Sequence, residues 1–140
     1  MIDRLRREGL KVLVHTTLPK LVGTTTAARR PAVTAEIERL IRAADLDGVI
    51  DAVRAMAERR DSQPLLPGIA CPTLILSGAE DALIAPQESS AMAQVIPGAE
   101  LDIIPEAGHL LNLERPEMFR GIVMPWIQRV AEAAKSRGRC

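Results

Sequence analysis

One acid and one histidine carry the chemistry that this sequence offers. Asp81 stands four residues past the apolar run Thr73-Leu74-Ile75-Leu76-Ser77, and His109 stands five past Leu101-Asp102-Ile103-Ile104. A carboxylate that accepts the Nδ1–H of an imidazole fixes its tautomer and stabilises its protonated form, leaving Nε2 to take a proton from a nucleophile. That is the acid and base portion of an acyl-transfer triad. Taken singly, each residue has a plainer role. An aspartate after a glycine caps its own turn, and a loop histidine hydrogen-bonds a nearby carbonyl. Glu80 is the alternative acid, with a side chain that points away if Asp81 points inward. Glu106 and Glu114 read as surface or helix N-terminal charges.

Asp81 and His109 can meet only if the two apolar runs end at the same edge of a sheet. The first run is closed by Gly78 and the second by Pro105 and Gly108, and both read as buried strands. Between them Pro86 suits the first turn of a helix, and Pro97-Gly98 ends that helix as a turn. A crossover helix returns the chain to the same end of the sheet, so the strands are expected to be parallel. Their C-terminal ends then share the edge where open α/β sheets place ligand sites. A last helix starts at Pro116 with the apolar stripe Met118, Phe119, Ile122, Val123, Trp126, Ile127 and Val130. Pro125 predicts a kink or break near Gly121 to Pro125, and the tail from Lys135 to Cys140 is expected to fray.

The residues before the first strand read as helical. Ile2, Leu5, Leu10, Leu13 and Val14 recur at helical spacing, with Gly9 a weak point and Pro19 a stop. Gly23 to Arg30 has no periodicity and reads as a loop. Pro31 opens a helix with Val33, Ile37, Leu40, Ile41 and Ala44 on one face, and Asp45 or Asp47 caps another carrying Leu46, Val49, Ile50, Val53 and Met56. Asp61 to Gly68 is rich in turn residues and marks a boundary. The chain therefore divides into a helical region, 1–62, a β-α-β-α region, 63–135, and a short tail, 136–140.

The 140 residues contain 18 basic and 18 acidic side chains, so the formal charge is zero and gives no reason to expect nucleic acid as a partner. Phe119 and Trp126 are the only aromatics, which excludes a base-stacking platform. No apolar run reaches the length that spans a bilayer, and Met1-Ile2-Asp3-Arg4 opens a charged segment, so no membrane association and a cytoplasmic location are expected. Cys71 and Cys140 make neither a metal pattern nor a disulfide framework. Cys71 reads as a small buried hydrophobe and Cys140 as an exposed thiol. His15 has no second ligand at metal spacing and reads as a surface or packed side chain.

PTLILSGAEDALIAP followed by IPGAELDIIPEAGHLLNLERPEMF resembles the C-terminal part of the α/β-hydrolases, especially the lactonase- and esterase-like members. The shared pattern is Gly78, Asp81 and Pro86, the proline one position later than in many relatives, then Gly108, His109, Glu114 and Pro116. The resemblance implies a partial α/β-hydrolase fold, a helical lid over 1–62, Asp81 as triad acid and His109 as triad base. It implies a small-molecule ester or lactone as substrate and no cofactor or metal.

The family's nucleophile sits on a G-x-S-x-G elbow that precedes the acid. No two glycines of this chain are four apart, and Ser77, Ser89 and Ser90 lie in the wrong order or context. The chain alone is therefore expected to be inactive, because members of a triad act as a unit. Two other readings stand beside the C-terminal half of a hydrolase: a non-catalytic oligomeric binding protein on the same scaffold, and one half of a split enzyme. The first strand would lack a neighbour on its outer side, and an unpaired apolar edge invites association. A homo-oligomer formed through that edge or by exchanged helices is expected.

Overall fold

The computed structural model describes residues 1–137. Six helices precede the sheet: α1 (Ile2–Glu8), α2 (Lys11–Thr16), α3 (Leu18–Leu21), α4 (Thr24–Arg29), α5 (Pro31–Ala43) and α6 (Leu46–Glu58). A 3-10 turn at Gln63–Gly68 leads to β1 (Leu74–Gly78), α7 (Pro86–Val95), β2 (Glu100–Ile104), α8 (Leu111–Glu114) and α9 (Pro116–Arg137). This is a largely helical α/β arrangement around a short two-stranded parallel sheet.

The helical region holds together through two apolar clusters. Leu5, Val12 and Ile50 join α1, α2 and α6. Val14, Leu18, Val22 and Ile37 join α2, α3 and α5, and Leu110 and Leu113 pack against this second cluster from the far end of the chain. The i, i+4 spacing of Val33, Ile37 and Ile41 turns one stripe of α5 toward that cluster. Its outer face carries ion pairs between Glu36 and Arg39 at 2.6 Å and between Glu38 and Arg42 at 2.7 Å. Asp45 caps α6 by accepting the Gly48 amide at 2.7 Å.

Several local expectations change. The first stretch is not one helix, because Gly9 adopts φ 69° and turns the chain between α1 and α2. Pro19 does not stop the run; it occupies the first turn of α3, where its missing N–H costs nothing. The loop expected at 23–30 is instead α4. Its N-terminal amides, at Gly23 and Thr25, donate to Glu114 and Glu80, residues remote in sequence, a source of helix stability that periodicity does not register.

β1 and β2 pair in parallel, with Leu74 opposite Glu100 and Gly78 opposite Ile104. Buried Ile104, Ala107 and Leu111 form a third cluster, against which Leu76, Phe119 and Ile122 pack. Contrary to the expectation of two buried strands, β2 is largely exposed, including 44% of Ile103. Only Ile104 of β2 is buried, in the cluster that Phe119 and Ile122 of α9 cover, while Glu100, Asp102 and Ile103 meet solvent. α9 runs through Pro125 without a break. The proline ring meets the carbonyl of residue i−4, here Gly121, where the backbone can yield and solvent reaches the freed acceptor. The helix also continues past Lys135 to Arg137, whereas Cys140 lies outside the described residues. Cys71 is exposed, not buried.

Candidate active site

The loops that leave β1 and β2 are joined backbone to backbone. Ala79 N donates to Ile104 O at 2.9 Å, and Glu80 N donates to Ala107 O at 2.8 Å. The approach is so close that a Cβ on Gly78 would overlap the carbonyl oxygens of Ala107 and Gly108. Glycine at 78 is thus a condition for the two loops to lie together.

This contact sets Asp81 against His109, with Oδ2 and Nδ1 2.9 Å apart. The other carboxylate oxygen closes its own turn, accepting the amides of Leu83 at 2.8 Å and Ile84 at 3.0 Å. Turn-capping and pairing with the imidazole, alternatives in the sequence, are both filled by one carboxylate. The Asp81 side chain is 7% exposed and that of His109 38%. Burial pushes the Asp81 carboxyl up, but the Ile84 amide, the His109 imidazole and the Leu83 amide together outweigh it and hold the group below the usual carboxylate value. An ionised Asp81 selects the tautomer with the proton on Nδ1, which leaves Nε2 as the basic nitrogen.

Glu80 is committed elsewhere. Its carboxylate accepts the Thr25 hydroxyl, the Thr25 amide at 2.7 Å and the Thr24 hydroxyl at 3.0 Å, so it caps α4 from outside. The Thr25 hydroxyl, then the Thr25 amide, lowers its pKa against a smaller effect of burial. Glu106 is a surface charge paired with Arg115. Glu114 is not: its side chain is completely buried, and its carboxylate accepts the amides of Gly23 at 2.9 Å, Gly108 at 3.0 Å and Leu110 at 3.2 Å. Sequence spacing places Glu114 at a short helix before Pro116, where a surface charge is the ordinary reading. The need for an acceptor arises only once amides from two distant segments are buried together.

The serines take no part in this contact. Ser77 Oγ is buried without a partner among the described residues, and Ser90 Oγ donates to Pro86 O at 2.9 Å. A cleft of about 440 Å³ lined by Asn112, Pro116, Glu117, Phe119, Arg120, Val123 and Met124 includes neither Asp81 nor His109. Met56 is 65% exposed, and His15 is exposed on α2. Among the described residues, no helix is long and apolar enough to cross a membrane.

The chain is similar over 92% of its length to a thermophilic esterase from Thermogutta terrifontis, with a TM-score of 0.89 and 40% identity, covering 47% of that protein. It is similar over 91% of its length to the enol-lactonase from Burkholderia xenovorans LB400, with a TM-score of 0.81 and 29% identity, covering 48% of it. Over 83 residues, 59% of the chain, it is 31% identical to serine hydrolase BPHL of Mus musculus. The chain spans about half the length of these two solved structures and no more than 28% of the first three curated relatives it matches. The sequence profile of the alpha/beta hydrolase family matches residues 4–121. With this match across most of its length and the strand, helix and loop order of those enzymes, the chain belongs to the alpha/beta hydrolase family.

Proposed function

We propose that this chain supplies the acid and the base of a serine hydrolase acting on carboxylic esters or lactones. The contact of 2.9 Å between Asp81 and His109, at the ends of adjacent parallel strands, carries the reading. In it, His109 Nε2 takes the proton of a serine hydroxyl as the oxygen attacks the ester carbonyl, and returns that proton to the leaving alcohol. Water then attacks the acyl-serine with the same imidazole as base, releasing the acid and the free serine. Asp81 remains ionised throughout and steadies the imidazolium. The serine and one N–H of its oxyanion hole come from a G-x-S-x-G segment that these 140 residues do not contain, and the second N–H comes from another loop of the missing part. Residues 1–62 act as the lid that excludes water, and the esterase and enol-lactonase relatives favour an ester or lactone substrate. Carbamates, named among the other relatives, are the next class to assay.

The test is complementation. The chain alone should not turn over p-nitrophenyl butyrate. Co-expressed with the preceding half of the Thermogutta terrifontis esterase, which would carry the nucleophile segment, it should form a complex with turnover that His109→Ala abolishes. A complex that forms without turnover, or turnover indifferent to His109→Ala, would overturn the reading. Ester hydrolysis by the purified chain alone that depends on His109 would overturn the assignment of the nucleophile to another segment.

A further inference from the structure

The backbone amides at and beside His109 are all committed to hydrogen bonds. The amides of Gly108 and Leu110, which flank it, both donate to Glu114 Oε1, and the His109 amide donates to Leu21 O at 2.9 Å. The other oxygen of Glu114 accepts the Gly23 amide, 91 positions earlier in the chain. One fully buried carboxylate therefore holds the loop of the imidazole and the segment between α3 and α4 at once. The two backbones touch: a Cβ on Gly23 would meet Gly108 N and Glu80 Oε2 at 2.8 Å each. Arg30 completes the seam, donating to the Glu114 carbonyl, to Thr26 Oγ1 at 2.6 Å and to Glu106 O at 3.3 Å.

We infer that Glu114 is a positioning residue for His109, making the docking of the 21–25 segment a condition for holding the imidazole against Asp81. Three donors converge on an acceptor that no water reaches, and a buried amide that loses its acceptor costs about 1–3 kcal/mol. Glutamine cannot replace the carboxylate. Its oxygen can serve Gly108 and Leu110, but its amino group then opposes the Gly23 N–H, donor against donor. The inference rests on His109 as the base for its catalytic meaning, but its geometry can be read without turnover.

The experiment is 15N NMR of the full chain, with His109 distinguished from His15 by His15→Gln. In the wild type the imidazole should show one tautomer, protonated at Nδ1. Glu114→Gln should replace it by an average of both tautomers, and the amides of Gly23, Gly108, His109 and Leu110 should exchange at least about tenfold faster. Leu5→Ala, which opens the cluster of α1, α2 and α6 to which none of these hydrogen-bonding residues belongs, should lower stability and leave the His109 signature intact. A folded Glu114→Gln with the wild-type tautomer overturns the inference even if exchange accelerates, since Glu114 would then be structural only. Should the variant not fold, exchange in the wild type decides. Common protection of the four amides supports the coupling, and a Gly23 amide more than about tenfold faster than Gly108 and Leu110 refutes it. Failure of the catalytic reading would appear separately, as a complex with an intact His109 signature and no turnover.

Discussion

Replacing Asp81 by asparagine separates the two duties of its carboxylate. Asparagine has the same shape, and its oxygen can keep the amides of Leu83 and Ile84 at 2.8 and 3.0 Å. Its amino group must then face His109 Nδ1 across the 2.9 Å contact. Two donors cannot share that space, so the imidazole switches its proton to Nε2, the nitrogen that has to accept one. The turn survives, and the stability change should stay within about 1.5 kcal/mol, the scale of one hydrogen bond. In the complemented enzyme kcat should fall on the order of 10⁴-fold, the loss seen when the same substitution inverts the tautomer in a serine protease. That corresponds to about 5.4 kcal/mol of barrier at 1.36 kcal/mol per decade. KM should hardly move, because the substitution touches no binding surface. Steady-state kinetics on a p-nitrophenyl ester, with the imidazole 15N shifts of the same variant, make the measurement. A folded Asp81→Asn with kcat within tenfold of wild type, or with the proton still on Nδ1, would refute the reasoning.

Gly78→Ala should destabilise the chain by about 1–3 kcal/mol in urea unfolding, since its new methyl meets the Ala107 and Gly108 carbonyls and two backbones must part. It should also weaken the Asp81–His109 contact, visible in the same 15N spectrum. The Glu80 pKa is lowered in the fold from its ordinary 4.5, so its bonds to Thr24 and Thr25 stabilise the protein above that value and are lost as pH falls through the depressed one. Compared with Glu80→Gln, the wild type should be more stable at pH 7, and the difference should disappear in acid, as thermal melts across pH will show. Light scattering at micromolar concentration should find dimers or larger species. β1 pairs only with β2 among the described residues, and its outer edge favours pairing between copies when no nucleophile-bearing segment is present. A monodisperse monomer would count against that association.

Sequence alone determined the repeating parts. Two apolar runs with a proline-started helix between them read as parallel strands joined by a crossover, and that geometry sends the residues after both strands to one edge. Asp81 and His109 were therefore legible as a pair in the sequence, as were α5 and α6 from their apolar stripes, while the choice of Asp45 over Asp47 as cap came from the fold. Tertiary structure decided what depends on partners far away in the chain. α4 has no periodicity and is held by Glu80, 55 residues on from Thr25. Glu114 reads as an ordinary surface acid until the Gly23, Gly108 and Leu110 amides are buried around it. Cys71 and β2 read as buried because they are apolar, but burial requires a neighbour to supply the cover. Periodicity reports which side chains leave water; which buried backbone groups then need an acceptor is fixed only when separate segments meet.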